Sequence, residues 1–394
     1  MKKVFLIAVI VLVTAIFIFN KKEEKDSIIP ENKIVEDRGV FISYLEFNSN
    51  LRGKSETEQK IKIIEMINNL KEKKFNLILL QVRPFSDAIY NSKIFPLSAT
   101  ISGKEGKEMG YDLLSYFIDV AHRNKIKIHA WINPYRIRSD TNASSISKLN
   151  PAYKWIKDGS NNVQIKSGIY YNPASTEVLN LIIKGVSELV NNYDIDGLLY
   201  DDYFYPNKTI DLENYKIYQK EGGKLSLKEY RYQNINNLIK ETYLAIKKIN
   251  KDVLFGISPA GNIENNKNNL YLNIDYLLES SYLDYVMPQI YFGFNNSNKP
   301  YIKTVNEWKE LIKNPNIKFY VALAPYKIGK TDKYAGSGKD EWINSTDILK
   351  RQIEYLRTTN ASFSLFRYDY LFNESKYQKN TLIELNNMYS IFNY

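Results

Sequence analysis

Short β-rich runs alternate with helical patterns eight times along this chain of 394 residues, and few architectures tolerate that rhythm. The runs are Val40–Phe47, Asn76–Val82, Ile126–Asn133, Gly197–Asp202, Val253–Ser258, Tyr285–Tyr291, Lys318–Ala324 and Ser362–Arg367. Helical patterns follow them at Glu56–Lys73, Asp112–Arg123, Ser175–Asn192, Leu227–Ile249, Ile274–Ser281, Val305–Ile312, Thr346–Arg357 and Lys376–Tyr389. Ser55 with Glu58, Ser226 with Glu229 and Thr304 with Glu307 read as capping boxes. Strands that alternate with helices pair in parallel, and eight of them close into a barrel; a doubly wound open sheet is the competing arrangement. The runs are apolar early and gain polar or aromatic residues at their carboxyl ends. Long connections follow Asn133, Asp202 and Ala324 on that same side. A (β/α)8 TIM barrel builds its active site at that face, from loops of this kind. The expected fold class is therefore α/β, a (β/α)8 barrel with long βα loops over residues 38–394.

The first 37 residues read differently. Met1-Lys2-Lys3 precedes an uncharged apolar run, Val4–Phe19, and a charged stretch follows. A positive start before an apolar core is the pattern of a signal peptide or signal anchor. The run would extend about 24 Å as a helix, against a hydrocarbon core of about 30 Å. Residues 1–20 are expected to be an N-terminal hydrophobic signal anchor, or a cleaved signal, and residues 21–37 a linker. The barrel would then lie outside the cytoplasm, attached to the membrane through this segment or secreted. Composition narrows the chemistry. There are no cysteines and only two histidines, His122 and His129, so disulfides, thiolate catalysis and sites needing several imidazoles are excluded. The net charge of +10 is scattered, and forms no basic stripe, so no nucleic-acid partner is expected. Aromatic residues make up 14%, a surplus suited to stacking on sugar rings.

Strand side chains alternate, so residues two apart share a face. His129, Trp131 and Asn133 are expected in the barrel mouth, with Ile128, Ala130 and Ile132 turned to the outer helices. The same parity groups Gln81 with Arg83, Gln289 with Tyr291, and Arg367 with Asp369. The sharpest cluster is Asp201-Asp202-Tyr203-Phe204-Tyr205-Pro206 at the end of the fourth run. Adjacent carboxylates on a strand leave on opposite faces, and parity alone does not choose which enters the cleft. Glycoside hydrolysis needs two carboxyl groups flanking the scissile bond, one to protonate the leaving oxygen and one to attack or activate water. Glu46, Asp87 and Asp369 stand at or beyond strand ends as candidates for the second, although Asp369 could equally pair with Arg367, and Asp87 could orient Arg83. Trp131, Tyr135, Tyr203, Tyr205 and Tyr291 are expected sugar platforms. Gly256-Ile257-Ser258-Pro259-Ala260-Gly261 is a poor nucleophile elbow, because Pro259 lacks the N–H an oxyanion hole would use. One histidine with scattered carboxylates has no metal-ligand spacing, so neither metal nor cofactor is expected.

The chain resembles the glycosyl hydrolase-like 10 family of bacterial exported proteins. The resemblance rests on Arg38-Gly39-Val40-Phe41, on Gln81-Val82-Arg83-Pro84 with Asp87-Ala88-Ile89-Tyr90, and on His129-Ala130-Trp131-Ile132-Asn133-Pro134-Tyr135-Arg136. It continues through Asp196-Gly197 to Pro206, Gly256-Ile257-Ser258-Pro259, and Asp284 to Tyr291. It implies a (β/α)8 barrel acting on bacterial envelope glycans, with peptidoglycan strands as the leading substrate. Asp201, Asp202, Glu46 and Asp369 are the expected catalytic carboxyls, the last two from their places at or beyond strand ends and not from the resemblance. Gln81, Arg83, Asp87, His129, Trp131, Asn133, Tyr135, Arg136, Tyr203, Tyr205, Gln289, Tyr291 and Arg367 would bind substrate. The chain is also distantly similar to amylase-type barrels, whose fourth strand carries D-G-x-x-x-D with the last Asp as nucleophile; Asp196-Gly197-Leu198-Leu199-Tyr200-Asp201 fits, which favours Asp201 over Asp202. Leu199 stands where the family often has a polar residue. A non-catalytic wall-carbohydrate-binding protein and a metal-dependent glycan deacetylase are the alternatives.

Overall fold

The computed structural model describes residues Glu36–Phe392. From Asp37 onward these form one compact unit. Eight parallel strands close into a barrel: β1 Arg38–Ile42, β2 Leu77–Arg83, β3 Lys127–Ile132, β4 Gly197–Tyr200, β5 Leu254–Ile257, β6 Tyr285–Val286, β7 Lys318–Leu323 and β8 Ser362–Leu365. Neighbours in sequence are neighbours in the barrel, and β1 pairs with β8 to close it. An outer helix follows each strand: α1 Glu56–Glu72, α2 Leu113–Arg123, α3 Thr176–Asn192, α4 Leu227–Ile249, α5 Ile274–Glu279, α6 Tyr301–Leu311, α7 Ile348–Thr358 and α8 Thr381–Ser390.

The capping boxes expected at Ser55 and Ser226 start α1 and α4. The one expected at Thr304 does not exist. Pro300 precedes α6, whose first turn is therefore already under way at Thr304, and the Thr304 hydroxyl donates back to the Pro300 carbonyl. The first run also ends earlier than its composition suggests. Ser43 caps a short helix, Tyr44–Asn50, in a complete capping box with Glu46, so Glu46 sits on a helical first turn instead of a strand end.

The barrel interior is packed, as the taper of a small barrel requires. Phe41, Leu77, Leu79, Trp131, Leu199, Tyr285, Met287, Tyr320 and Ala322 fill it. Large rings need gaps opposite them. Gly197 pairs in register with His129, and a Cβ on it would lie 2.7 Å from the imidazole. Gly256 does the same for Tyr285, at 2.3 Å from the ring.

At the amino ends of the strands a repeated latch fixes register. The Arg38 N–H donates to Asn76 Oδ1, the Ile128 N–H to Asp196 Oδ2 and the Phe255 N–H to Asp284 Oδ2, each at 2.7 Å. In each case the residue just before an even-numbered strand holds an amide at the start of the strand before it. The Asp196 carboxylate also pairs with His122 at 2.9 Å, and Asp284 with Lys247 at 2.8 Å. At the opposite end the connections are long. The one after β3 carries a three-stranded antiparallel sheet of Arg136–Arg138, Val163–Ile165 and Ile169–Tyr171, with the last in the middle. The one after β2, Pro84 to Asp112, is as elaborate, although its run-on composition gave no warning of that.

The expected membrane anchor requires correction. Among the described residues no helix is long and apolar enough to cross a membrane. The run Val4–Phe19, on which anchor, membrane attachment and extracytoplasmic location rested, lies outside the described residues, as does the linker expected at 21–37 up to residue 35. Anchor, membrane attachment and extracytoplasmic location are dropped.

Candidate active site

Interior parity decides between the two adjacent aspartates. Leu199 packs inside the barrel, so Asp201, two residues on, points into the same space above it. Its carboxyl is 3% exposed. Oδ2 accepts the Trp131 indole N–H at 3.0 Å and the Asn133 amide in a short contact, while Oδ1 accepts the Tyr203 backbone N–H at 3.2 Å. Asn133 is itself oriented. Its Oδ1 accepts from Gln81 Nε2 at 2.5 Å and from Arg136 at 3.2 Å, and Gln81 Oε1 accepts the Tyr44 N–H at 3.0 Å. Residues from β3 and just after β4 thus meet at one carboxyl group, Gln81 and Tyr44 act on it through Asn133, and the chain of donors fixes which way each amide faces.

Arg136 is the nearby cation. Its Nε donates to the Pro84 carbonyl at 2.9 Å, and the guanidinium sits over Phe85 at 4.9 Å and Tyr203 at 4.8 Å, with Tyr44 at 5.8 Å. Asp202 leaves the strand on the other face, is half-buried, and receives a hydrogen bond from the Gln289 side chain. Burial lifts the titration of both aspartates above the usual carboxylate range. The charge of Asp202 raises Asp201 further, while Arg136 opposes both shifts. Two such neighbours hold one proton between them over a range where separate carboxyls would hold none.

Across the mouth lies an aromatic surface. Phe366, at the end of β8, touches Phe41 at 5.6 Å, Tyr291 at 6.0 Å, Tyr326 at 6.1 Å and Trp131 at 6.4 Å, and Tyr326 meets Tyr370 at 6.0 Å. Phe366, Tyr291, Tyr326 and Tyr370 are all half-buried, and Tyr203 is 45% exposed. The Phe366–Arg367 peptide is cis.

Other expected residues are placed elsewhere. His129 shares the interior face but lies one layer deeper, hydrogen-bonded to the Tyr285 hydroxyl at 2.9 Å; burial lowers its titration to about 4, so it is a neutral core imidazole. Arg83 is turned outward. A β-bulge in β2 between Gln81 and Arg83 breaks the parity, and the guanidinium stacks 3.9 Å from Phe95 beneath Gly185 of α3. Tyr135 is buried in the outer core, and Tyr205 donates to Asp211 at 2.7 Å inside its loop, so neither offers a face to a sugar. Glu46 and Asp369 both bind Arg367: Asp369 at 3.3 Å, Glu46 in a short contact, with Ser43 capping the far Glu46 oxygen at 2.6 Å. This cluster is buried and internally satisfied, which removes both acids as partners for Asp201. Ser258 donates to the Met287 carbonyl at 2.8 Å and has no base. Among the described residues no three His, Asp or Glu side chains are grouped to hold a metal ion. Tyr44, Phe85, Phe366, Tyr326 and Tyr370 were missed; Ala324-Pro325-Tyr326 at a strand end was the available signal for one of them.

A family model described as Glycosyl hydrolase-like 10 matches residues 36–338. The chain belongs to this family. The match ends before β8, so Arg367 and Asp369 stand outside it. This glycosyl hydrolase-like 10 barrel is 31% identical over 330 residues to "Glycosyl hydrolase YngK" of Bacillus subtilis (strain 168), spanning 78% of this chain and 63% of that protein. It is 30% identical over 356 residues to "Glycosyl hydrolase DigH" of Escherichia coli (strain K12), spanning 82% of this chain and 78% of that one. The chain therefore spans less than two thirds of the length of YngK. Among solved structures, the PgaB (BpsB) glycoside hydrolase domain from Bordetella bronchiseptica shares the fold with a TM-score of 0.58 at 14% identity, covering 90% of this chain and 99% of that one. The catalytic domain of the β-amylase from Paenibacillus polymyxa does so with a TM-score of 0.55 at 10% identity, covering 91% and 99%.

Proposed function

We propose that the protein hydrolyses glycosidic bonds in a glycan by joint action of Asp201 and Asp202, with bacterial cell-wall glycan strands as the substrate to test first. The observation that carries this reading is the pairing of two adjacent carboxyls at the end of β4 with an aromatic-walled mouth above a packed barrel. Burial and the Asp202 charge raise Asp201, while its N–H donors and Arg136 oppose the shift, so the pair shares one proton over a range where separate carboxyls would hold none. The protonated member of the pair donates that proton to the leaving glycosidic oxygen. The ionised member meets the positive charge that develops at the anomeric carbon, and water adds there while its proton restores the one given up. The rings of Tyr291, Phe366, Tyr326 and Tyr203 offer faces to flank the sugar chain.

The test is release of new reducing ends from purified wall glycan by the barrel. Asp201→Asn and Asp202→Asn are each expected to lower kcat/KM by roughly 10²–10⁴-fold. Failure of the wild type to release ends, or wild-type rates in Asp201→Asn, overturns the reading. Saccharide binding without turnover by the wild type would instead fit a non-catalytic carbohydrate-binding protein. The pH profile adds a second readout. Rate should fall on the alkaline side as the shared proton is lost, and that limb should disappear from the residual activity of Asp202→Asn.

A further inference from the structure

Beside the Asp201 centre, on the far side of the Tyr44 and Phe85 rings that flank Arg136, lies a cavity of about 330 Å³. That is the lower end of the size range of small-ligand sites. Asp87, Glu105, Arg138 and Asn150 line it together with Tyr44 and Phe85. Nearly every polar group there is already engaged. Glu105 accepts from the Ser147 N–H at 3.0 Å and from Asn150 at 2.7 Å; Arg138 holds Asp140 at 2.7 Å; Asn150 accepts from Ser86 at 3.0 Å. Asp87 is the exception. Its side chain is 7% exposed, and Oδ1 has no hydrogen-bond partner. Leaving such an oxygen unsatisfied is costly, and the deficit is removed by any ligand bringing a hydroxyl.

We propose that this cavity seats a further sugar residue of the same glycan, with the Asp87 carboxyl exchanging a hydrogen bond with one of its hydroxyls. The inference rests on the glycosidase reading above and extends it from one centre to a longer groove. Shared walls support it: Tyr44 and Phe85 face the cavity on one side and the Arg136 clamp on the other, so a chain leaving Asp201 past Arg136 reaches the cavity without leaving protein surface. Charge supports a neutral ring over a cation, because Arg138 and the Arg52 at the rim offset the acidic groups. Burial pushes Asp87 up to about 7, with the Glu105 charge adding to it and a hydrogen bond from Ser98 and the charges of Arg138 and Arg83 opposing it, so the carboxyl is available near neutrality both as donor and as acceptor.

The experiment uses the inactive Asp201→Asn protein, so that binding is read without cleavage, and titrates it with N-acetylglucosamine oligosaccharides of increasing length. Affinity is expected to step up at the length that first reaches the cavity. Adding Asp87→Ala should erase that step, about tenfold from one hydrogen bond to a carboxyl, while the affinity of shorter oligosaccharides stays unchanged. Asn48→Trp, which fills the cavity from its rim without touching Asp87, should erase the same step and guards against a folding defect in the first variant. Oligosaccharide binding whose length dependence survives in both variants overturns this inference alone. No binding at any length overturns the glycan reading and this inference with it.

Discussion

Asp87→Asn should make the protein more stable, and the gain should appear only as pH rises. The Asp87 carboxyl is buried and its titration is pushed from the usual 3.8 to about 7. Below about pH 4 the folded and unfolded chains both hold the proton, so the group is neutral to folding. As pH climbs, the unfolded chain ionises first, and wild-type stability falls by up to 1.36 kcal/mol per pH unit until the folded group also ionises near 7. About three units of displacement amount to about 4 kcal/mol. Asparagine has nearly the shape of the neutral acid and never ionises, so it removes this slope. Urea unfolding at pH 4 and pH 7.5 measures the difference, and cancels any constant effect of the amide. The wild-type-to-variant gap should widen by about 4 kcal/mol between the two pH values, which in a thermal melt is roughly 5–10 °C. Parallel stability profiles for the two proteins would show that Asp87 is solvated or paired, and would refute the reasoning. Retention of a destabilising acid at this position is what a binding role costs a scaffold.

Three further perturbations test other parts of the molecule. Gly197→Ala places a methyl 2.7 Å from the locked His129 ring, which should destabilise by about 1–3 kcal/mol; an unchanged denaturation midpoint would mean the barrel floor yields more easily than its packing implies. Arg367→Met strands Glu46 and Asp369 without their cation inside the protein, a loss of about 3–5 kcal/mol that shrinks at low pH as the acids protonate. The sign follows from burial, which already raises Glu46. Trp131→Phe keeps a ring beside Phe41 and Phe366 but deletes one N–H from Asp201, so kcat/KM should fall about tenfold or more and the acid limb of its pH profile should move upward; an unmoved profile would separate Asp201 from the chemistry.

Most of the barrel was legible because its physics is local. Eight apolar runs with polar carboxyl ends, spaced by amphipathic helices, leave a signature in composition and period, and every one of the eight runs overlaps an observed strand. Parity placed Trp131 and Asn133 correctly because β3 is regular, and Gln81 because it precedes the irregularity in β2. It failed at Arg83, where one extra residue in β2 reverses the face without altering the kinds of residue present. It also says nothing of depth, which is why His129 read as a mouth residue although its ring fills the layer below. Glu46 was misplaced for a different reason: Ser43-x-x-Glu46 carries the signal of a helix start, but the apolar Tyr44-Leu45 and Phe47 made the strand seem to continue. The aromatic mouth depends on Tyr291 beyond β6 and Tyr326 beyond β7 meeting Phe366 at the end of β8, a contact between distant segments that no local pattern contains.

The three latches at Asn76, Asp196 and Asp284 tie β1 to β2, β3 to β4 and β5 to β6 at the end of the barrel remote from Asp201. Strand alignment is thereby guaranteed by groups that no substrate meets. Loops at the opposite rim are free to lengthen, shorten or be exchanged between relatives without loosening the staves beneath them. A designer wishing to retarget the groove should graft there, and leave these three side chains alone.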